Sequence, residues 1–488
     1  MMLNYGELVR ALGPELALVL GALIVLGYDL WRGKGRTVDD RLRASVSLGG
    51  VAVLFAAWQT VQAGRGGPVF GSVLTLDTLG LMTRLGVLLL ALFTLCLAPG
   101  SERVRHPAEF TATLLFATTG FTLMAVAQQL LLVFLAIELA SLSLYILAGF
   151  DKRRPESAEA GLKYFLFGGM AAAFLLFGFS LIYGLTGSIE LPAIARALAA
   201  GAGGPLLAVA LAMVLVAFGF KAAAAPFHLW APDVYQGAPS AASALIASAS
   251  KLAGATVFVR LLWSTLGDAS GDFFAPLQDP GWLTLVAVLS GAALLLGNLV
   301  ALAQSNVRRL LAYSAIAHAG VMLIAVMVAG RAGVGPLFYY ATTYGLATVG
   351  AFGVIGVLER AGGCQNLTDL AGLHRRSPLL AGCLFVYVLS LAGVPPLAGF
   401  FGKFAVFAAG LKIGGLATST GVLSLAAIAL SAVALYYYLV LLKQAVVASP
   451  AKPVARIAVP VDVAFTLVLA ALLLIALGVA PSALLRVF

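Results

Sequence analysis

Charged residues are scarce in this chain of 488 residues, of which Asp, Glu, Lys and Arg make up only 10%. An average soluble domain has roughly 25%, because polar side chains must cover most of its surface. The 61% share of hydrophobic residues therefore excludes a soluble enzyme, a disordered chain and a nucleic-acid-binding domain. What remains is a polytopic membrane protein, in which each spanning helix needs about 20 apolar residues.

Metal-ligand patterns are also missing. The cysteines Cys96, Cys364 and Cys383 are far apart and form no CxxC pair, which argues against an iron–sulfur site, a zinc site and a disulfide framework. The four histidines lack the spacing of metal ligands. We therefore expect this chain alone to bind no metal and no cofactor.

Apolar runs of spanning length fill most of the chain. Separated by charged or Gly/Pro-rich breaks, they predict an all-α polytopic membrane protein with about 14 transmembrane helices. The longest connections are too short to fold alone, so no extramembrane domain is expected. The predicted spans are residues 13–31, 45–63, 76–98, 109–126, 128–149, 162–186, 205–228, 239–264, 281–303, 308–330, 335–359, 379–409, 420–445 and 458–480.

Basic residues are distributed unevenly between the connections. Eighteen lie in odd-numbered connections and four in even-numbered ones. Because Lys and Arg favour cytoplasmic loops, the odd-numbered connections are predicted to be cytoplasmic and both termini to lie outside. The odd-numbered set is Arg32, Lys34, Arg36, Arg41, Arg43, Arg103, Arg105, Lys152, Arg153, Arg154, Arg308, Arg309, Arg360, Arg375, Arg376, Lys443, Lys452 and Arg456; the even-numbered set is Arg65, Arg196, Arg331 and Lys412.

Two predicted spans contain prolines. The seventh reads FGFKAAAAPFHLWAPDVYQGAP, with Pro226, Pro232 and Pro239, and the twelfth reads LSLAGVPPLAGFFGKF, with Pro395 and Pro396. Proline removes a backbone donor and clashes with the preceding turn, so both helices are predicted to be interrupted. Irregular backbone at membrane depth is tolerated only inside protein or along a wet cavity, and paired interruptions indicate a transport site.

The two interruptions are five spans apart, which predicts two five-helix repeats. Because five is an odd number, the second repeat must be inverted relative to the first. The predicted organisation is a three-helix N-terminal segment at 1–108, a first repeat at 109–264, a second repeat at 281–445 and a C-terminal helix at 446–488.

A few ionisable residues are predicted to lie at membrane depth, where a charge is costly. Burial penalises the charged form of a lysine, whereas a nearby carboxylate favours it, so a Glu–Lys pair that opens and closes can release and take up a proton. Arginine stays charged and cannot do this. The central basic residues here are lysines, which favours proton relay over anion binding. The candidate proton-transfer residues are Glu138, Lys221, Lys251, Lys403, His318 and His228.

Each candidate also has a structural interpretation. Glu138 could join two helices through hydrogen bonds, the lysines could cap free carbonyls or pack structurally, and both histidines could be satisfied core residues. Near helix ends, Lys163, Arg84 and Arg260 could extend to the membrane interface, an interpretation we favour for the two arginines. The run 436–438 of three tyrosines is interpreted as packing or an interface belt.

With these residues placed, the sequence resembles the antiporter-like membrane subunits of proton-pumping NADH–quinone oxidoreductase, respiratory complex I. The segment KAAAAPFHLWAPDVYQGAP at 221–239 is similar to the family's segment around its first broken helix, and the likeness covers nearly the whole chain. The resemblance matches Glu138 and Lys221 to a paired glutamate and lysine of helices 5 and 7. It matches Lys251 to the central lysine of helix 8 and Lys403 to the helix-12 lysine linked to the exit, and His318 falls where central polar linkers occur.

The resemblance implies a proton-translocating subunit of a bacterial-type complex I in the cytoplasmic (inner) membrane. Its partners would be the lipid bilayer and other membrane subunits, including antiporter-like neighbours, and not nucleic acid. NADH, flavin, iron–sulfur clusters and quinone would be used elsewhere in the complex. One alternative is a subunit of a multi-subunit sodium/proton antiporter, against which the YQGAP extension at 235–239 argues; the other is a structural subunit.

Overall fold

The structure, a computed structural model, describes residues 5–101, 104–272, 281–416, 418–449 and 455–488. Arg103 and Lys452, which were included in the predicted topology, lie outside these ranges. The α-helices are α1 Tyr5–Ala11, α2 Gly13–Arg32, α3 Val38–Ala63, α4 Thr78–Leu97, α5 Pro107–Val126, α6 Leu130–Ala148, α7 Pro155–Thr186, α8 Leu191–Ala199, α9 Pro205–Ala222, α10 Trp230–Gly237, α11 Ser240–Ala247, α12 Ala249–Val259, α13 Trp282–Leu302, α14 Val307–Ala332, α15 Gly335–Arg360, α16 Leu373–Arg376, α17 Pro378–Ala392, α18 Ala398–Gly414, α19 Ser419–Leu442, α20 Val461–Val479 and α21 Ser482–Leu485.

The all-α polytopic membrane fold is confirmed. Within the described residues, 13 helices are long and apolar enough to cross a membrane. The count differs from the predicted 14 because the twelfth predicted span, 379–409, is divided into the shorter helices α17 and α18. Several small elements lie outside the predicted spans: the short helices α1, α8, α16 and α21, and a hairpin of β1 (Gly67–Val69) with β2 (Leu74–Leu76).

Proline sterics explain where the two interrupted helices end. The ring of a proline clashes with the carbonyl of the residue four positions earlier. Helix α9 ends at Ala222, four residues before Pro226, and helix α17 ends at Ala392, four residues before Pro396. Both interruptions begin with a residue in the left-handed region, Ala223 at φ 57° and Gly393 at φ 85°. The predicted interruptions are therefore present, and each exposes helix-end carbonyls inside the protein.

A third interruption, at Ser248, divides the eighth predicted span into α11 and α12. No proline marks it. The Ser248 hydroxyl donates to the carbonyl of Ala244 at 2.6 Å, a type of bond that bends helices and competes with the backbone ladder. Lys251 therefore lies in the first turn of a new helix, three residues after the interruption.

The centre of the molecule is formed by α11–α12, α14 and α15. In the apolar stretch of the span Ser240–Thr265, 94% of the residues are buried. The share is also 94% in α14 and 100% in α15, but only 33% in α7. Helices of the periphery thus keep an apolar face for lipid or a neighbouring protein, whereas the central helices contact protein on all sides. Lys251 on α12 and His318 on α14 lie in this centre.

Arg84 and Arg260 do not reach the interface, so the prediction for them is wrong. The Arg84 guanidinium is 1% exposed and donates to both oxygens of the buried Glu15 carboxylate, at 2.9 and 3.0 Å. Arg260 donates to both oxygens of Asp77, at 2.8 and 2.6 Å. A bidentate carboxylate partner satisfies a guanidinium that would otherwise need to reach water.

Removing one partner of the Arg84–Glu15 pair should destabilise the fold. Arg84→Ala leaves the Glu15 carboxylate buried and unpaired, which we expect to cost about 3–5 kcal/mol. Arg84→Met combined with Glu15→Gln removes both charges and should cost less. The measurement is thermal unfolding of the purified protein, with Arg43→Ala, at an exposed position of α3, as the control. Equal losses in the single and double variants would contradict this interpretation.

Candidate functional site

Lys221 lies at the last turn of α9, where the first interruption begins, and is 7% exposed. Its Nζ donates to the Oγ of Ser141 on α6 at 3.2 Å and lies 5.8 Å from the centre of the Phe121 ring. Glu138 lies one turn before Ser141 on α6 and lines the same cavity as Lys221. Among the described residues no ion pair of 4 Å or less joins Glu138 to Lys221, so Ser141 is the hydrogen-bond partner of this lysine.

Lys251 follows the Ser248 interruption on α12 and is 5% exposed. Its Nζ donates to the carbonyl of Ala315 on α14 and lies 5.4 Å from the centre of the Tyr344 ring. Both contacts favour a cation without a counter-charge, through a carbonyl dipole and an aromatic face. Neither contact fixes the proton as a carboxylate would.

His318 is joined to tyrosines on both ring nitrogens. Its Nδ1 is 2.6 Å from the hydroxyl of Tyr340 on α15, and its Nε2 is 3.1 Å from the hydroxyl of Tyr438 on α19. The Tyr438 hydroxyl is also hydrogen-bonded to the Ser314 hydroxyl, at 2.6 Å. The ring of Tyr344 lies 4.7 Å from the His318 ring and is tilted by 42° against it, and the buried Tyr344 hydroxyl has no hydrogen-bond partner among the described residues.

These tyrosines were not identified from the sequence. The run 436–438 had been interpreted as packing or an interface belt. That interpretation fits Tyr436, which is 63% exposed, but Tyr437 and Tyr438 are buried and hydrogen-bonded to Asn298 and His318. The available signal was the helical spacing, because consecutive residues of a helix are rotated by about 100° from one another, so three tyrosines in a row cannot all face lipid.

Lys403 lies on α18 just after the second interruption and is 8% exposed. Its Nζ donates to the carbonyl of Ala392, the last residue of α17, at 2.9 Å. An interrupted helix leaves its final carbonyls without intrahelical donors. The lysine therefore satisfies a carbonyl that the proline pair exposes.

Three small cavities lie beside these side chains. One of about 20 Å³ is lined by Glu138, Ser141 and Lys221. A second of about 30 Å³ is lined by both Lys221 and Lys251. A third of about 20 Å³ is lined by His318 and Lys403. Each has room for at least one water molecule with polar partners on its wall.

The structure thus brings five of the six predicted residues into one row. In order the row is Glu138, Lys221, Lys251, His318 and Lys403, and Tyr344 lies between Lys251 and His318. His228 is the exception. It is buried in the first interruption, its Nδ1 has no hydrogen-bond partner among the described residues, and it lines none of the three cavities.

Ion pairs hold α10 beside the first interruption. The Asp233 carboxylate on α10 accepts from Lys163 on α7 and from Arg309 on α14, both at 2.6 Å. Arg308 donates to the carbonyls of Tyr235 and Ala238 at the end of α10, at 3.2 and 2.6 Å. Arg308 also pairs with Glu359 at the end of α15. We call these five charged residues the α10 clamp: Lys163, Asp233, Arg308, Arg309 and Glu359.

The fold and the site together define a class of protein. A polytopic helical bundle contains interrupted helices with buried lysines beside the interruptions. One glutamate and one histidine on continuous helices complete the row, and water-sized cavities lie along it except between Lys251 and His318. Among the described residues no group of three or more His, Cys, Asp and Glu side chains could hold a metal ion. The arrangement is that of a membrane protein able to pass protons between side chains.

Comparison with known proteins gives the family. Residues 127–429 match the model described as NADH:quinone oxidoreductase/Mrp antiporter, transmembrane. The chain is 46% identical to NADH-quinone oxidoreductase subunit N 2 of Acidobacterium capsulatum, over 99% of each chain. The protein belongs to this family of membrane subunits, which confirms the resemblance identified from the sequence.

Solved structures agree with the family. A chain of respiratory complex I from Thermus thermophilus with bound aureothin is 33% identical, with a TM-score of 0.78 over 97% of this chain and 98% of that one. A chain of the Mrp complex from Dietzia sp. DQ12-45-1b has a TM-score of 0.81 over 98% and 96%, at 21% identity. The second similarity shows the fold alone.

Neutralising Asp233 should loosen the α10 clamp. Asp233→Asn removes the negative charge that Lys163 and Arg309 share. We expect the free energy of unfolding to fall by about 1–2 kcal/mol, since these ion pairs are partly exposed. Amide hydrogen exchange in Trp230–Gly237 should become faster, because α10 is held by these contacts. Asp268→Asn, at an exposed position, is the control. Unchanged exchange in Asp233→Asn would show that the clamp does not hold α10.

Proposed function

We propose that this chain is a proton-translocating membrane subunit of an NADH–quinone oxidoreductase, equivalent to subunit N of its relatives. The observation that carries the proposal is the row from Glu138 to Lys403. The lysines of this row contact neutral acceptors, namely a hydroxyl or a backbone carbonyl, and have cavities beside them. A lysine with a neutral acceptor and an adjacent water can exchange its proton.

The first step is a switch between Glu138 and Lys221. When the carboxylate approaches the ammonium group, it favours the protonated lysine; when it withdraws, burial favours release of the proton. The structure corresponds to the withdrawn arrangement, in which Lys221 donates to Ser141. The proton then moves toward Lys251 through the cavity that Lys221 shares with it.

The later steps follow the row through α12, α14 and α18. Lys251 passes the proton past the Tyr344 hydroxyl to His318, whose two nitrogens contact tyrosine hydroxyls and can accept on one side while donating on the other. The cavity of His318 opens onto Lys403. Lys403, at the second interruption, is the residue from which the proton leaves.

A neighbouring subunit can act on Glu138. This glutamate is only partly buried and lies on the face of α6 that carries Leu135 and Leu142, which are 54% and 49% exposed. A charge change in a protein packed against that face would shift Glu138 relative to Lys221. Redox chemistry with NADH, flavin, iron–sulfur clusters and quinone takes place in other subunits, and neighbouring membrane subunits, including antiporter-like ones, transmit its effect.

The proposal includes topology and internal symmetry. The chain lies in a bacterial cytoplasmic (inner) membrane with both termini on the outer side, as the distribution of basic residues favours. The five spans within α5–α12 and the five spans within α13–α19 form two inverted repeats. This is supported by one helix in each repeat that ends four residues before a proline. A buried lysine lies beside each of these helix ends.

A sodium/proton antiporter subunit is the rival function. It shares the fold, as the Mrp complex match shows at 21% identity. The 46% identity over the full chain to a subunit N favours the oxidoreductase. Co-purification of this chain with an iron–sulfur-containing peripheral arm would support the proposal, and co-purification with antiporter subunits alone would refute it.

Removing either partner of the switch should uncouple this subunit. In the complex reconstituted into vesicles, Lys221→Ala and Glu138→Ala should each lower the ratio of protons translocated to NADH oxidised. The reason is that a positioned side chain accelerates proton transfer roughly 10²–10⁴-fold. Lys412→Ala, at an exposed position of α18, is the control. Undiminished pumping in both variants would refute the assignment, whereas normal complex abundance with reduced pumping would exclude a merely structural role.

Narrowing the cavity between the two lysines should slow transfer without weakening the fold. A Cβ at Gly254 would lie 3.4 Å from Cγ of Lys221, an ordinary contact that takes space from the cavity. Gly254→Ala should also stabilise α12, by up to about 1 kcal/mol. The proton-to-NADH ratio should therefore fall while the melting temperature does not.

Gly169→Ala is the matched control for Gly254→Ala. It makes the same change within α7, where nothing lies within 4 Å of the added Cβ. Pumping should remain normal in this variant. Normal pumping in Gly254→Ala would show that protons do not use the cavity.

A further inference from the structure

A polar crevice lies at one end of the bundle, away from the proton row. Its volume is about 760 Å³. It lies between the start of α3, the segment before α5, the connection from α6 to α7 and the end of α15. We call it the basic crevice, and its lining residues are Val38, Asp39, Leu42, Ser101, Val104, Arg105, His106, Phe150, Asp151, Lys152, Arg153 and Arg360.

The positive charges of the basic crevice exceed the negative ones. Asp39 is neutralised by Arg360 at 2.6 Å. The Asp151 carboxylate accepts from the backbone N–H of Arg153 at 3.4 Å and thus closes its own turn. The remaining basic side chains, Arg105, Lys152 and Arg153, are exposed, and within the described ranges none of them forms an ion pair.

Helix starts and helix ends both lie beside the crevice. Helix α3 begins at Val38, and α5 begins at Pro107, directly after His106, with no side-chain cap at its start. The first N–H groups of a helix have no intrahelical partner and carry partial positive charge. The ends of α6 and α15, which carry the opposite partial charge, also lie beside the crevice, so its positive field comes from the unpaired basic side chains.

The crevice lies at the level where spanning helices begin and end. The spanning helices α3, α5 and α7 begin beside it, whereas α6 and α15 end beside it. Its apolar wall includes Val38, which is 43% exposed, together with Leu42, Val104 and Phe150. Basic groups beside an apolar wall at the end of a bundle match the chemistry of an anionic lipid, with its phosphate on the cations and its glycerol backbone on the wall.

We propose that the basic crevice binds the phosphodiester headgroup of an anionic phospholipid. Lys152 and Arg153 contact the phosphate, Arg105 supplies a further donor, and Phe150 and Leu42 contact the glycerol region. Fixed protein charges of one sign next to the bilayer concentrate lipids of the opposite sign. The site is distinct from the proton row, since none of its lining residues lines the three row cavities.

The test uses the whole delipidated complex and a spin-labelled phosphatidylglycerol. Titration should show a saturable, immobilised lipid fraction that spin-labelled phosphatidylcholine does not compete for. Lys152→Ala with Arg153→Ala should weaken the affinity roughly 30-fold, which is about 2 kcal/mol for two charges near the surface. Arg105→Ala alone should weaken it less, and it serves as a second variant if the double one does not assemble.

Lys34→Ala with Arg43→Ala is the matched control, because both positions are exposed at the same end of the bundle and outside the crevice. It should leave the immobilised fraction unchanged. Equal loss in the control would reduce the effect to general surface charge and overturn the proposal. Displacement of the labelled lipid by millimolar inorganic phosphate would also overturn it, since the site would then bind a free anion.

Discussion

The cost of a charge at membrane depth governs this molecule. Each buried charge must find a partner, and two solutions are present. Buried arginines contact carboxylates, as in Arg84 with Glu15, Arg260 with Asp77 and Arg308 with Glu359. The buried lysines of the row contact neutral oxygen atoms. The first solution fixes a charge permanently, whereas in the proposed function the second leaves a proton free to move, so the proposal separates structural and transport roles by residue type.

Each row lysine lies beside an interrupted helix, and one of these interruptions also provides a neutral oxygen. The carbonyl that Lys403 contacts is free because Pro396 ends α17 at Ala392. Lys221 and Lys251 likewise lie next to interruptions, at Ala223 and at Ser248. Irregular backbone is tolerated there because the central helices surround it on all sides. The same features thus break the helices, place the lysines and leave space for water.

How much could be predicted from the sequence depended on the range of the interaction. Spans and proline interruptions depend on neighbouring residues, and most were predicted within a few residues, although α3 and α7 begin seven residues earlier than predicted. The lysines were recognised because each stands within an apolar run. Arg260 was misassigned because its partner Asp77 is 183 residues away. The Ser248 interruption has no proline signal, and the contact of Tyr438 with His318 joins helices that are distant in sequence. Long-range pairing of this kind is decided by packing and not by local pattern.

The central claim is that protons move along a wetted row from Glu138 to Lys403. Its most direct test is a high-resolution density map of the assembled complex in which ordered waters can be resolved. The account predicts water in the cavity between Lys221 and Lys251 and in the cavity between His318 and Lys403, each within hydrogen-bond distance of a lysine Nζ. Dry cavities closed by side chains in every turnover state would contradict it.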